Sequence, residues 1–192
     1  FGLGIADIVE RTATPSIAGA HGPGGWNDPD MLQVGNGPES GQSQHEPATV
    51  HRPLTGAESR THFGFWCLLA APLMVGTDLA SLTEHDRDIL TNDRLIAINQ
   101  DPLGIQGTPD RRDQDVSVWS KCLEDGGAAF ALWNRADEWR EIHAHTESVD
   151  VHSGSGSYDV LDCWTGETWT TSDELTTHVE PRDTAMLCVM PA

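Results

Sequence analysis

The chain has 192 residues, enough for a sizeable hydrophobic core and for one or two domains. Its 30 acidic residues outnumber its 11 basic ones, which gives a formal net charge of −19. This charge excludes nucleic acids and anionic membrane surfaces as expected partners, because clusters of Lys and Arg bind their phosphates. The sequence also contains no run of 18 apolar residues, so it predicts no transmembrane span.

The acidic residues are spread over the whole chain, and Lys121 is the only lysine. Self-repulsion of this size destabilises a fold at low ionic strength, whereas a Debye length of about 3 Å at 1 M salt screens it. The composition therefore predicts a halophilic protein. An ordinary acidic secreted enzyme is the alternative, and the sequence leaves the cellular location open.

The four cysteines show neither a C-x-x-C spacing nor clustered histidines, so no metal site and no cofactor are expected. Cys67 lies in an apolar helical run and is predicted to be a buried small hydrophobe. Cys122, Cys163 and Cys188 lie in a strand-rich half. One disulfide can form among these three, and the sequence does not say which pair it would join.

Residues 1–13 have the pattern of an amphipathic helix. Apolar side chains recur at helical spacing at Phe1, Ile5, Ile8 and Val9. Asp7 falls on the opposite face and is predicted to be exposed to solvent.

A glycine-fenced run at residues 22–37 holds the most unusual cluster of side chains. In an extended segment residues two apart point to the same side, so Asp28 and Asp30 share one side, and Pro29 and Met31 share the other. Turn formation is the simpler explanation for such residue types.

An aromatic residue next to the two aspartates favours a sugar-binding cleft. Trp26 stands two residues before Asp28, with Asn27 between them. A ring stacks on the apolar face of a sugar, and carboxylates accept hydrogen bonds from its hydroxyls.

The first half is predicted to alternate strands and helices. Its run at 72–78 is almost wholly apolar, which is typical of a parallel strand buried on both faces. His45 and His51 lie in a long polar loop and are interpreted as solvated side chains. The predicted elements are strand 24–32, loop 33–56, helix 57–71, strand 72–78, a helix starting at Thr83 with Asp86 and ending near Leu90, and a helix starting at Asn92 and ending near Asn99.

From Asp115 onward, short alternating apolar runs are separated by turn residues, which predicts an antiparallel β-sandwich. Trp133, Trp164 and Trp169 are predicted to pack in the core beneath the sandwich, and a second sugar site is the alternative. The strand candidates are Val116–Val118, Ala129–Trp133, Val149–Val151, Val160–Leu161, the segment around Trp169, and Ala185–Val189.

Three runs, GPGGWNDPDMLQVGNG, THFGFWCLLAAPLMVGTDL and ILTNDRLIAINQDPLGIQG, resemble consecutive segments of the melibiases, a clan of retaining α-galactosidases and α-N-acetylgalactosaminidases. The resemblance implies a (β/α)₈ barrel followed by a β-sandwich. A complete barrel takes about 250 residues. Residues 1–105 are therefore expected to be the last strands and helices of a truncated catalytic barrel, and residues 106–192 the sandwich.

The resemblance also implies the roles of individual residues. Asp30 and Met31 are expected to contact the sugar, and Trp26, Asn27 and Asp28 to support the strand end that carries them. Both catalytic aspartates of the family lie on earlier strands, so they are expected upstream, and the fragment is expected to be inactive alone.

Asp7 is a weak candidate for the acid/base, because the arginine that precedes that aspartate in the family is absent from residues 1–4.

The implied activity is an exo-acting, retaining α-galactosidase whose partner is a galactose-containing oligosaccharide. An α-N-acetylgalactosaminidase of the same family, or a non-catalytic carbohydrate-binding or structural fragment, is the alternative. The intact enzyme is compatible with homo-oligomerisation. The upstream coding sequence would separate these alternatives, because it either encodes a nucleophile-bearing segment or does not.

Overall fold

The computed structural model describes residues 4–36, 52–149, 151 and 153–192. Within these ranges, no helix has both the length and the apolar character needed to cross a bilayer. The helices are α1 (Ile5–Thr12), α2 (Pro15–Ala18), α3 (Gly56–Leu68), α4 (Glu84–Leu90) and α5 (Asp93–Asn99). The strands are β1 (Thr108–Arg112), β2 (Val116–Cys122), β3 (Ala128–Asn134), β4 (Arg140–His145), β5 (Tyr158–Asp162), β6 (Thr168–Thr171), β7 (Glu174–Val179) and β8 (Thr184–Pro191).

Two extended segments of the first half lie side by side and run parallel. Leu32 and Val75 form a parallel bridge, in which the Leu32 amide donates to the Met74 carbonyl at 2.7 Å and the Gly76 amide donates to the Leu32 carbonyl at 2.9 Å. Helix α3 connects the two segments, as a parallel connection requires. This part of the chain is therefore a β–α–β unit.

The strand predictions for these two segments were too generous. Of the predicted strand 24–32, only Leu32 pairs with the neighbouring segment. The predicted burial of residues 72–78 on both faces is wrong, because Met74 is 59% and Val75 39% exposed. The first strand is short because Pro29 has no amide hydrogen to donate to a ladder. The second segment is exposed because no described element covers its outer face.

Helix α3 is almost entirely buried, and both of its ends are held by side chains. The Thr55 hydroxyl accepts from the Glu58 amide, and the Glu58 carboxylate accepts in return from the Thr55 amide. The helix ends at Leu68, three residues before the predicted end, because Ala70 adopts a left-handed φ of 49°. His45 and His51, which were predicted to lie in a loop, are outside the described residues.

The N-terminal segment agrees with the predicted helix and adds a short second one. Helix α1 buries Val9 and Thr12, while Phe1 lies outside the described residues. Helix α2 was missed, because no helix was predicted between residues 13 and 24. Proline is compatible with the first position of a helix, since the amide there has no intrahelical acceptor.

The predicted start of α4 at Thr83 with Asp86 is confirmed, and so is the predicted start of α5 at Asn92. At the start of α4, the Thr83 hydroxyl accepts from the Asp86 amide, and the Asp86 carboxylate accepts from the Thr83 amide. At the start of α5, the Asn92 side chain accepts from the Arg94 and Leu95 amides.

The second half is an antiparallel β-sandwich, as predicted. One sheet has six strands in the order β1-β2-β3-β8-β5-β6, and the other consists of β4 and β7. Apolar side chains of β3 and β8 on one face of the larger sheet pack against Ile142 and Leu175 of the smaller sheet. This contact forms the core of the sandwich.

Three strands of this sandwich, β1, β4 and β7, were missed, and one was misassigned. Val149 follows a 3-10 turn and forms no strand, contrary to the prediction for Val149–Val151. The neighbouring strand is β4, whose Ile142 and Ala144 alternate with polar residues, and its partner β7 was not predicted either. Each of these strands has only a few buried residues in its alternating pattern, which is a weak signal in the sequence. The pairing of β4 with β7 shows that both are strands.

The opposite face of the six-stranded sheet packs against α3 and α5, so the two halves share a second core. The ring of Phe65 meets those of Trp119 and Trp133 edge to face, at centroid distances of 5.4 and 4.9 Å. Trp133 is buried, and Trp164 and Trp169 are half-buried against the two cores, which is the packing predicted for all three.

Candidate functional site

The glycine-fenced segment forms a tight bend that exposes Asp30 and Met31. An Asp28 carboxylate oxygen accepts the Asp30 amide hydrogen at 2.9 Å, and an Asp30 carboxylate oxygen accepts the Met31 amide hydrogen at 2.7 Å. Asp30 has a φ of 80°, which is rare for a residue with a side chain. Met31 is 46% exposed, and Asp30 is exposed as well.

This bend corrects the predicted alternation of side chains. Pro29 is buried and Asp28 exposed, as expected for an extended chain, but Met31 is exposed instead of lying beside Pro29. The positive φ at Asp30 breaks the two-residue repeat and turns the next residue outward. A carboxylate and a thioether therefore lie next to each other on one surface.

The backbone around Asp30 is anchored to α3. The Trp66 indole N–H donates to the Asp30 carbonyl at 2.7 Å, and the Gln33 amide donates to Nε2 of His62 at 2.9 Å. His62 and Trp66 lie one helical turn apart, with ring centroids 4.0 Å apart in an edge-to-face arrangement. Both anchors therefore come from one face of a buried helix.

His62 acts as a permanent acceptor. Burial lowers its pKa to about 3, because the charged imidazolium would lose its hydration. Since Nε2 accepts the hydrogen bond, the ring proton resides on Nδ1. A neutral ring in this tautomer holds the Gln33 backbone at any pH near neutrality.

Asn27 ties the same segment to the rest of the molecule. Its amide group donates to the Ile17 carbonyl and to the Gln106 side-chain oxygen, both at 2.8 Å. Its backbone amide donates to Nδ1 of His21 at 3.1 Å. Gln106 in turn donates to the Thr12 carbonyl at 3.0 Å. These bonds place Asn27 in a supporting role behind the exposed residues.

Trp26 is 48% exposed and lies over the chain that leaves α5. Gly104 has a φ of 59°, and a Cβ atom there would lie 2.6 Å from the Trp26 ring. The edge of His21 contacts the same ring, with centroids 5.2 Å apart. The indole is thus held on one side and accessible on the other.

Exposed apolar side chains lie on the segment that runs parallel to the one carrying Met31. The neighbouring parallel segment exposes Met74 and Val75, and Gly76 lets the two segments approach closely. A Cβ atom on Gly76 would lie 3.2 Å from the Met31 Cβ and 3.3 Å from the Leu32 carbonyl oxygen. A carboxylate beside an apolar surface matches a ligand that has hydroxyls on one part and C–H groups on another.

Asp7 lies elsewhere, exposed in the first turn of α1, where its carboxylate accepts the Gly4 amide hydrogen at 3.3 Å. It thereby caps its own helix. Among the residues that the structure describes, no group of three His, Cys, Asp or Glu side chains has the geometry of a metal site.

His62, Trp66 and Gln106 were not predicted to support this segment. The four-residue spacing of His62 and Trp66 on the predicted helix was an available signal, because it places them on one face. Gln106 offers no such signal, because it binds Asn27 across 79 positions of the sequence.

Comparison with known proteins matches both halves of the chain. Residues 3–101 match the family model described as Alpha galactosidase A, and residues 113–189 match the one described as Alpha galactosidase C-terminal beta sandwich domain. An alpha-galactosidase of Oryza sativa subsp. japonica is 37% identical over 170 residues, which cover 88% of this chain and 37% of that protein. An alpha-N-acetylgalactosaminidase of Rattus norvegicus is 36% identical over 148 residues, or 76% of this chain and 32% of that protein.

A solved structure shows the same fold. The alpha-galactosidase of Saccharomyces cerevisiae, determined with raffinose, is similar with a TM-score of 0.82 at 22% identity, over 100% of this chain and 52% of that chain. The present chain spans only about a third of the length of two relatives, 37% for the rice protein and 32% for the rat protein.

Proposed function

The chain belongs to the alpha-galactosidase A family, and from that premise we propose that it is part of a retaining α-galactosidase. The whole enzyme removes terminal α-linked galactose from oligosaccharides or glycoconjugates. In this proposal residues 1–105 supply the last strands and helices of a (β/α)₈ barrel, and residues 106–192 supply the C-terminal sandwich.

The observation that carries the proposal is the exposed pair of Asp30 and Met31 on a rigidly anchored backbone. The Asp30 carboxylate accepts hydrogen bonds from galactose hydroxyls, and the Met31 side chain contacts the C–H face of the ring. Anchoring by the Trp66 indole and by His62 supports this role, because a binding group held in place loses little conformational entropy when the sugar arrives.

The parallel bridge supports the barrel placement. Leu32, which directly follows Asp30 and Met31, bridges to Val75, so these two residues adjoin a pair of parallel segments such as a barrel contains. The resemblance of residues 22–37 to the family's sugar-binding segment assigns Asp30 and Met31 to one wall of the galactose pocket.

The catalytic carboxylates are assigned to residues other than Asp28 and Asp30. Retention requires two carboxyl groups about 5 to 5.5 Å apart, one as nucleophile and the other as acid and then base. The carboxylate of Asp28 already accepts the Asp30 amide hydrogen and acts as a turn former. In the family resembled, both catalytic aspartates lie on earlier strands of the barrel, so the proposal assigns the chemistry to residues of the whole enzyme outside residues 1–192.

The test is a comparison of the intact enzyme with residues 1–192 alone, using an aryl α-galactoside. We expect turnover by the intact enzyme, with retention of anomeric configuration visible by NMR, and none by the isolated residues. Turnover by the isolated residues would contradict the assignment of the catalytic pair. Inversion, or no hydrolysis by the intact enzyme, would contradict the proposed activity.

An α-N-acetylgalactosaminidase is the second candidate, and the similarity to the rat enzyme favours it. To separate the two candidates, kcat/KM of the intact enzyme is measured with an aryl α-galactoside and with an aryl α-N-acetylgalactosaminide, and the two values are compared. A ratio in favour of the acetamido sugar would replace the first candidate with the second. Sedimentation of the intact enzyme tests whether it is a homo-oligomer.

A further inference from the structure

Two cysteines of the sandwich lie in sulfur–sulfur contact. The Sγ atoms of Cys163 and Cys188 are 3.6 Å apart. In the pairing of β5 with β8, Cys188 stands opposite Leu161, and the Cys163 amide donates to the Met186 carbonyl at 2.8 Å. The two cysteines are therefore diagonal neighbours across adjacent strands.

Both thiols lie on the helix-facing side of the six-stranded sheet. Cys163 belongs to the core shared with α3, and Cys188 packs against it. Lys121 faces the helices, because its ammonium donates to the Ile98 carbonyl of α5. Side chains alternate along β2, so the next residue, Cys122, lies on the other face of the sheet. Among the three cysteines of the strand-rich half, contact selects a single pair.

We propose that Cys163 and Cys188 form a reversible intramolecular disulfide, with a low-molecular-weight disulfide such as oxidised glutathione as the oxidant. A disulfide bond is about 2.05 Å long, so the sulfurs must approach by about 1.5 Å. Cys163 is the first residue after β5, in a turn, and can make this adjustment without breaking a strand.

The two thiols differ in access and in charge environment, which sets the order of events. Cys163 is fully buried, whereas Cys188 is partly exposed. The hydrogen bond from the Cys163 thiol stabilises the thiolate of Cys188 and lowers its pKa, and the buried ammonium of Lys121 contributes in the same direction. Cys188 therefore attacks first, since the thiolate is the nucleophile in thiol–disulfide exchange.

The exchange runs in two balanced steps. The Cys188 thiolate attacks one sulfur of the oxidant, forming a mixed disulfide and releasing one small thiolate. Cys163 loses its proton and attacks the Cys188 sulfur, which releases the second small thiol. The two protein thiols lose two electrons in total, and the oxidant takes up these electrons and both protons.

The bond would join the end of β5 to the central strand β8 and close a loop of about 25 residues between them. Closing a loop of that size restricts the unfolded chain more than the folded one. We expect the oxidised form to unfold at a Tm roughly 5 to 10 °C above that of the reduced form.

The test uses the intact chain, incubated with either oxidised glutathione or a reductant, then denatured in acid, alkylated and digested. We expect oxidation to yield a cross-linked peptide containing Cys163 and Cys188, while Cys67 and Cys122 stay alkylated. The reductant should restore alkylation of the pair. Recovery of both thiols in alkylated form after oxidation, or a persistent glutathione adduct on Cys188 alone, would overturn the proposal.

Variants then separate the disulfide from general effects on stability. Cys188→Ser should abolish the Tm difference between oxidised and reduced protein, whereas the matched Cys122→Ser should preserve it. If a variant fails to fold, peptide mapping of the unmodified chain still tests whether Cys163 and Cys188 form the disulfide. A redox-dependent Tm that survives in Cys188→Ser would contradict the pairing.

Discussion

Asp30 is the residue on which the proposed sugar site depends most directly, through its carboxylate. We predict that Asp30→Asn lowers kcat/KM of the intact enzyme about 10- to 100-fold, since a hydrogen bond to a charged group contributes on the order of 1.5 to 3 kcal/mol. Steady-state kinetics with an aryl α-galactoside measure this loss. The matched control is Asp7→Asn, which alters an exposed helix cap and should leave kcat/KM nearly unchanged. Equal effects of the two variants would refute the assignment of Asp30.

His62 predicts a pH dependence of stability. Its pKa is about 3 in the folded state and near 6.5 in the unfolded chain, so the unfolded state binds the extra proton first as the pH falls. The contribution is fully present above about pH 6.5 and is lost progressively as the pH falls from there towards 3. The loss amounts to roughly 5 kcal/mol, from about 1.4 kcal/mol for each of about 3.5 pH units.

His62→Gln keeps a side-chain oxygen as the acceptor and removes the titration. The free energy of unfolding, measured with urea from pH 4 to 7, should depend less steeply on pH in this variant than in the unmodified chain. His85→Gln replaces an exposed histidine of α4 and provides the control. Identical slopes for His62→Gln and the unmodified chain would show that His62 is not the titrating group.

At the scale of the element, Asn99 of α5 holds the end of α3. Its side-chain amide donates to the carbonyl of Trp66 in the last turn of α3 at 3.2 Å, and to the carbonyl of Ala71 just beyond the helix at 2.9 Å. Asn99→Ala leaves both acceptors without this donor, which we expect to cost about 2 kcal/mol and lower Tm by roughly 4 to 8 °C.

Thermal unfolding followed by circular dichroism tests this loss. Asn36→Ala is the matched control, because the Asn36 side chain donates only to the neighbouring Gln33 among the bonds that the structure describes. A Tm of Asn99→Ala within a degree of the unmodified chain would mean that the end of α3 does not depend on α5.

At the scale of the whole molecule, the charge imbalance predicts stabilisation by salt. Lys121, the only lysine, is buried, and its ammonium donates to the Ile98 carbonyl at 2.6 Å, so it does not offset surface carboxylates. With a net charge of −19, the remaining repulsion grows as screening is removed. We predict that Tm rises by several degrees between low and molar potassium chloride.

Sucrose separates charge screening from the general strengthening of apolar burial, because it is excluded from the protein surface and carries no charge. At matched osmolality, sucrose should stabilise the chain less than potassium chloride does. Equal midpoints at low and molar potassium chloride would reject the halophilic interpretation and leave the acidity as a solubility feature.

The sequence by itself determined the features that depend on residues close together in the chain. The cap of α4 needs only Thr83 and Asp86, and β3 and β8 are recognisable because their apolar residues run almost without interruption. The glycine-fenced segment also identified the candidate site, because Asp30 and Met31 stand in one short run. Three long matching runs were enough to indicate the family.

Only the tertiary structure decided the contacts between distant parts of the chain. It turned Met31 outward through the positive φ of Asp30, and it brought Cys163 against Cys188 through the pairing of β5 with β8. It also made a strand of the polar segment β4 by giving it β7 as a partner. These outcomes depend on where the chain returns after dozens of residues. Local propensity carries no information about that return, because the same short segment can satisfy its backbone hydrogen bonds in several ways.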